Sequence, residues 1–500
     1  MDQFFHGARV TDSASGVRPI QTVASSAIGL LCTGPESEAA STASLTLGTA
    51  VANNGLTYTA VTAGSNGNKI SVSYMNPNAN SAALSVAVNN SAIIVSLATD
   101  NTGAITSTGA QVLAAITASA AASALVTAAA TGTSTGTGVV TATASQFLSD
   151  GIDEAFPLNT PVLVAGAQAL AARMGSTGTG PTALADIFTQ IGATVIVVRV
   201  TAGADDTGTI ANMMPGVDGS GNYTGMNAFL SAESITGVRP MLLIAPGFTS
   251  NQGLLAALSG VADKLRAHII AEGPDTTDAA VTTYAQNFGS RRIFLVDPGV
   301  KLTDNTGNTV IHSNSATAAG LIAKVDNTLG YQWSPSNQII TGITGTTRAV
   351  DYSEADPNCR ANILNQANVA TIIRRNGFRL WGNRTLSADP QFQFLSVSRV
   401  DDIIALSIQK TVNDWAVDRP ITKTFFKDVA DEVNAYLAGL TNQGVIAGGK
   451  CYPDPSLNTP TNIAAGKVYF DYDWSPAYPA EDIEITSQIV ETYLTSLTSN

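Results

Sequence analysis

Charge is the first thing this chain lacks. Only 13% of its 500 residues are Asp, Glu, Lys or Arg, and the net charge is −13. Clustered Lys and Arg are needed to neutralise phosphates, so this balance argues against direct nucleic-acid binding. Histidine is as scarce: His6, His268 and His312 stand isolated and offer neither a zinc-ligand spacing nor a positioned imidazole base. Cys32, Cys359 and Cys451 are odd in number and far apart. They make no metal motif and no disulfide framework, and read as buried free thiols. Long hydrophobic runs are missing too. The most apolar stretch, residues 114–130, is mainly alanine broken by Ser and Thr and is short for a membrane span. The first residues carry no basic-then-apolar leader pattern, so neither a signal peptide nor membrane insertion is expected.

Short motifs that suggest chemistry fail in context. Gly132-Thr-Ser134-Thr-Gly136 matches a nucleophile-elbow pattern but lies in Thr/Gly repeats, without the strand-to-helix turn that strains such a serine. In Gly64-Ser-Asn-Gly-Asn-Lys69 the lysine follows asparagine, and no helix opens there to cradle a phosphate. Asp218-Gly-Ser-Gly-Asn222 has too few ligands for a calcium loop. The pairs Asp205-Asp206 and Asp401-Asp402 are adjacent and do not face each other for acid–base work. No catalytic residue, metal site or cofactor is expected, and the chain does not read as an enzyme.

What is present is length, apolar content and small polar residues. Five hundred residues with 44% apolar content exceed one core, and roughly three or four domains are expected. Residues 1–20 read as an extended N-terminal arm around Phe4, Phe5 and Val10, isolated from the rest of the chain by Asp12–Gly16 and Arg18-Pro19. Residues 21–35 and 151–350 read as an α/β core. Its continuous apolar strands at 23–31, 162–165, 194–200, 241–245 and 293–296 alternate with helices at 181–191, 223–231 and 252–270, the pattern of a mainly parallel sheet covered on both faces. The strand end Val296-Asp-Pro-Gly299 offers one carboxylate, Asp297, with no partner nearby in sequence.

Residues 36–150 interrupt that core with a single basic residue, Lys69, and three alternating runs at 70–74, 84–88 and 93–97. Asn89-Asn90-Ser91 joins the last two as a hairpin. An Ala-rich helix over 111–125 and a low-complexity linker over 131–138 complete an inserted β-rich domain.

From about residue 351 the electrostatics change. Between Arg360 and Lys427 stand ten Lys and Arg against five Asp, a local balance of +5. Ala370–Ile373 and Phe378–Trp381 flank Asn376-Gly377, the signature of a hairpin with a type I′ turn. Val400, Ile404, Ile408, Val412 and Trp415 form one helical stripe, and Phe426, Val429, Val433 and Leu440 a second beyond Arg419-Pro420. Arg399, Lys410, Lys423 and Lys427 are expected on their exposed faces. Lys467–Trp474 reads as a strand with alternating aromatics (Phe470, Tyr472) after Val468, and residues 481–500 carry Ile483, Ile485, Ile489, Tyr493 and Leu494 in a second arm beyond Pro476 and Pro479. Two extended arms bracketing a sheet are what strand exchange between subunits requires.

The order Gly377-Phe-x-x-Trp381-Gly382-Asn-Arg384-Thr385, short strand, long helix, together with Phe156-Pro-Leu-Asn-Thr-Pro161, resembles the tail sheath proteins of contractile bacteriophages and related injection machines. That resemblance implies hexameric rings stacked into a helical sheath, partners in the tail tube, baseplate and tail terminator proteins, and a place in the virion tail after assembly in the host cytoplasm. It also implies that neighbours' arms complete a sheet containing Ile372, Phe378, Trp381, Val468, Phe470 and Tyr472, that the domain over 351–480 lines the tube through Arg399, Lys410, Lys423 and Lys427, and that residues 36–150 decorate the exterior. A secreted or surface β-rich adhesin is the alternative, suggested by the Thr/Ser/Gly-rich insertion.

Overall fold

The computed structural model describes residues 19–304, 306–354 and 356–497, so Phe4, Phe5 and Val10 lie outside the described residues. Two compact units emerge. One comprises residues up to 32, residues 161–166 and everything from 182 onward; the other comprises residues 33–160 and 167–181.

A nine-stranded sheet organises the first unit. Its order is Ile339–Ile340, Phe378–Trp381, Val369–Arg374, Ile293–Val296, His268–Glu272, Leu242–Ile244, Ile28–Thr33, Thr194–Val200 and Val162–Ala165. The five strands from Val369–Arg374 to Ile28–Thr33 run parallel, and the flanking pairs are antiparallel. Ile28, Leu243, Ile269, Ile270, Phe294 and Leu295 are fully buried, as expected for strands covered on both faces. The first half of helix Asn314–Thr328 is mostly Ala, Ser, Thr and Gly, and 11 residues of the helix are buried. At Gly320 an added Cβ would stand 3.0 Å from the Ile187 backbone, so a small residue lets the two helices approach.

Three expected elements differ. The helix expected over 252–270 ends at Leu265, and His268–Glu272 is a central strand. Arg266 closes the helix in the left-handed conformation (φ 53°), a position usually marked by glycine, so the sequence carries no stop signal there. Over 223–231 a two-residue strand and a tight 3₁₀ turn replace the helix, because Gly225 (φ 57°) bends the chain against the Met214 carbonyl. The hairpin Val369–Trp381 extends the core sheet; it does not begin a separate C-terminal sheet.

The second unit holds sheets ordered Ser44–Leu47, Leu56–Ala60, Val126–Ala130 and Ser85–Asn89, Ala92–Ser96, Ser71–Met75, Thr143–Phe147. Its core contains Leu56, Ile93, Val95, Val112 and the hydroxyl-bonded pair Tyr58–Tyr74 (2.6 Å). The Ala-rich segment is divided. Helix Gly109–Ala118, opened by the Thr108–Gln111 capping box, breaks at Ser119, whose hydroxyl caps the short helix Ala120–Ser123, and a strand comes next. Residues expected as linker are folded as a turn around Asn53, whose amide donates to Thr135 and Thr137 (2.7 and 2.6 Å). Arg173 pairs with Glu38, and Ser176 donates to Glu36, which ties residues 167–181 to this unit.

In the first unit His312 donates from Nδ1 to the buried Asp186 (2.9 Å). That hydrogen bond raises the His312 pKa, and burial raises that of Asp186. Both shifts favour the protonated form in the folded state. Their contribution is present below the unfolded values and is lost as pH rises through the folded ones. The thermal midpoint should therefore rise between about pH 8 and about pH 6, and His312→Gln should flatten that rise.

Candidate functional site

The C-terminal layer is two long helices, Leu395–Trp415 and Lys423–Asn442. Val400, Ile404, Val433, Tyr436, Leu437 and Leu440 pack with Ile446, Cys451 and Ile20, so the chain emerging from the N-terminal residues is seated in this layer. Thr22 bonds the Tyr436 hydroxyl (3.2 Å), and the Val23 amide donates to Ser407 (3.1 Å). Phe425 takes the buried position in the second stripe, and Phe426 is half-buried.

Arg399 is not on an exposed face. It is 3% exposed, forks onto both oxygens of Asp326 and reaches the Ser25 carbonyl (3.1 Å). The first turns of its helix are buried all round, which helical periodicity alone does not reveal. Lys410, Lys423 and Lys427 are exposed, and Lys427 pairs with Asp431 one turn on (2.7 Å).

The strand-accepting residues divide between two sheets. Ile372 is buried inside the core sheet, and Trp381 packs edge-on to Tyr352. The outer edge of Phe378–Trp381 is taken by the same chain: Ile340 pairs with Phe378, and the Asn337 amide donates to the Leu380 carbonyl (2.6 Å). That edge cannot receive a neighbour's strand without displacing its own. Phe470 and Tyr472 lie instead in the two-stranded sheet Ile446–Pro453/Phe470–Pro476, with Val468 preceding it. Asn434 holds that sheet to the second helix through both backbone groups of Cys451 (2.7 and 2.9 Å).

Beyond it the chain leaves the body. Arg384 forks onto Glu481 (2.9 Å), and residues 477–490 have no assigned strand. Ile483, Ile485 and Ile489 are 72%, 86% and 102% exposed, and Tyr493 and Leu494 are also exposed. The sequence does not reveal the Glu481 anchor, since its partner lies 97 residues earlier.

The strand ends where doubly wound folds take ligands are occupied by side chains. Arg348 bridges Asp297, Asp278 (2.5 Å) and Asp275 (3.5 Å), and Arg360 adds a second fork onto Asp278 (2.7 Å). Burial pushes the Asp297 carboxyl up to about 6 despite Arg348. Glu272, raised by burial, accepts from the Gly247 amide (3.0 Å) and Ser315. Asp297 thus gains the partner missing locally, from 51 residues downstream. Among the described residues no group of three or more His, Cys, Asp or Glu is placed to hold a metal, and no helix is long and apolar enough to cross a membrane. The three cysteines are free and buried, with burial pushing Cys32 up to about 12 and Cys451 to about 11.

Residues 221–386 match the phage tail sheath protein central domain, and residues 387–490 the phage tail sheath C-terminal domain. A putative prophage major tail sheath protein of Pseudomonas aeruginosa (strain UCBPP-PA14) is 41% identical over 340 residues, 68% of this chain and 88% of that protein. The chain belongs to the phage tail sheath family. The tail sheath protein of Escherichia phage P2 is 36% identical over 70% of this chain and 90% of its own length. Two contracted sheaths share the fold. That of the anti-feeding prophage has a TM-score of 0.52 at 20% identity, over 66% of this chain and 88% of its own. That of the extracellular contractile injection system PVC has a TM-score of 0.52 at 18% identity, over 68% and 89%. The protein is a structural subunit of a contractile tail sheath.

Proposed function

We propose that this subunit assembles as stacked hexameric rings around a tail tube, in an extended metastable state, and contracts to drive the tube through a cell envelope. The observation that carries this reading is the uncovered C-terminal segment. Its alternating isoleucines form no strand with the described residues of their own chain, and a neighbour's sheet can cover them. Ile20, next to the first described residue, packs in the same helical layer. Residues 1–20 and 481–500 then act as linking arms, and the sheet Ile446–Pro453/Phe470–Pro476 receives strands. Heterologous contacts that do not close generate an open polymer. With no nucleotide motif in the sequence, the work of contraction comes from the difference between two sets of subunit contacts, repeated over every copy.

The exposed lysines Lys410, Lys423 and Lys427 face the tube, the sheath ends meet baseplate and terminator proteins, and residues 36–150 decorate the outside. The particle is assembled in the bacterial host cytoplasm and works in the virion tail. Negative-stain microscopy of purified protein tests the polymer: hollow tubes or rods are expected, and monomers that bind cells or sugars would overturn it. For the tube, Lys410→Glu with Lys423→Glu should weaken co-assembly most at low salt, since exposed charge contacts are screened over about 10 Å at 0.1 M. Unchanged co-assembly would remove these lysines from the contact.

A further inference from the structure

We infer that Asn376, at the tip of the hairpin Val369–Arg374/Phe378–Trp381, is a site of spontaneous deamidation, by which the ageing subunit acquires a carboxylate among arginines. The site is complete within one subunit, and the reaction uses only this chain and water. The Gly377 main-chain nitrogen gives up its proton and bonds to Cγ of Asn376. The side-chain nitrogen takes a proton and leaves as ammonia, and water then opens the cyclic imide. Breaking the new bond gives aspartate. Breaking the original main-chain bond gives isoaspartate, with an extra methylene in the backbone.

Glycine after asparagine favours this ring closure, because no Cβ hinders the attacking nitrogen. The chain has three such pairs, Asn54-Gly55, Asn66-Gly67 and Asn376-Gly377. Their local sequence ranks them alike; the fold separates them. Asn54 is 8% exposed, its Oδ1 accepts from the Thr49 amide (3.0 Å) and its Nδ2 donates to the Val139 carbonyl (2.8 Å). The Gly55 amide is engaged by the Thr49 carbonyl (3.1 Å), and a Cβ there would stand 2.9 Å from the Thr49 backbone. In the second pair Asn66 Oδ1 accepts from Lys69 Nζ (2.8 Å). Gly67 is buried, donates to the Gly64 carbonyl (3.1 Å), and would place a Cβ 2.8 Å from that of Ala43. Neither backbone has room to swing toward the side chain.

These constraints are missing at the third pair. Asn376 and Gly377 are both exposed, and among the described residues neither the Asn376 side chain nor the Gly377 amide makes a hydrogen bond. A Cβ on Gly377 would meet nothing nearer than Ile339, at 3.8 Å. The pairing of Arg374 with Phe378 leaves only residues 375–377 as the loop. Arg374 and Arg375 precede the pair, and Arg379 follows it, its Nε donating to the Arg375 carbonyl (2.9 Å). Positive charge beside the turn favours the deprotonated nitrogen that attacks, and then the carboxylate that forms.

The folded, full-length chain, held at mildly alkaline pH and sampled over time, tests this by peptide mapping that resolves asparagine, aspartate and isoaspartate. Asn376 should convert about tenfold or more ahead of Asn54 and Asn66, because each of those must first open its hydrogen bonds. In denaturant the three rates should draw together. Asn376→Gln, whose longer side chain closes the ring poorly, should leave the hairpin peptide unmodified over the same period, with the other two pairs unaffected. Conversion of Asn54 or Asn66 as fast as Asn376 in the folded chain would overturn the assignment. So would an Asn376 that converts only in denaturant, since the hairpin would then be protecting it. An undiminished lead in denaturant would overturn the selection by the fold and leave it to the neighbouring arginines.

Discussion

Removing residues 482–500 should leave a folded chain that no longer forms long polymers. The cut falls just after Glu481, so the Arg384 fork that holds the chain to the body is retained. What is lost is a segment whose isoleucines are 72% to 102% exposed and so contribute little to the subunit's own core. The thermal midpoint should hardly move. Association is a different matter. Covering one isoleucine stabilises by roughly 1.5–3 kcal/mol, so three of them, with a row of backbone hydrogen bonds, amount to several kcal/mol per contact. In the proposed lattice every subunit makes that contact, so deletion would act on each link. Sedimentation and microscopy should show monomers or small rings in place of tubes. Removal of residues 1–18 is expected to do the same. Long tubes formed by either truncated chain would exclude the arms as the links.

Asp402→Ala should cost about 3–5 kcal/mol of stability, the usual consequence of removing one partner from a buried ion pair. Asp402 is fully buried and receives Arg292, Arg291 (3.1 Å) and Arg266 (3.4 Å). Burial pushes its carboxyl upward while Arg292 and Arg291 oppose the shift. Nearby His268 is buried, bonded to Ser398 (2.9 Å) and held well below its ordinary pKa chiefly by desolvation, so it adds no positive charge. With Asp402 gone, the Arg292 side chain, 6% exposed, keeps only Asp263 at its outer end. Asp402→Asn, which preserves the hydrogen-bonding shape, should cost less. All four tryptophans (Trp333, Trp381, Trp415 and Trp474) lie in the first compact unit, so the denaturant midpoint read by their fluorescence reports this unit. A loss below about 1 kcal/mol would mean that the arginines reach water once their partner is removed. The position also matters mechanically: the cluster fastens the first half of helix Leu395–Trp415 to strands His268–Glu272 and Ile293–Val296.

The parallel core was legible because continuous apolar runs such as Thr194–Val200 and Ile293–Val296 are long, uniform and bounded by helices. The C-terminal helices were legible from stripes at fixed spacing. Errors arose where a boundary had no chemical marker. Arg266 ends a helix in the conformation where glycine is common, and His268–Glu272 was absorbed into that helix. Asn53 converts a Thr/Gly stretch that reads as linker into a fixed turn from more than 80 positions away.

Exposure was the least readable quantity. Arg399 and Lys410 stand on the same helix with the same charge, yet one is locked onto Asp326 and the other faces solvent. Hydrophobic periodicity reports which side of a helix is apolar. It does not report what else is stacked on the polar side.

By itself, the order of residues determined most of the elements, the interruption of an α/β core by a charge-poor β module, and an apolar C-terminal end with no local partner. Each of these comes from spacing and composition over a few residues. Only the tertiary structure decided which charges are buried, that the edge of Phe378–Trp381 is already paired, and that Arg348 fills the crevice beside Asp297. Those outcomes depend on groups separated by tens to hundreds of residues, whose meeting is set by the packing of the whole unit and not by any local preference.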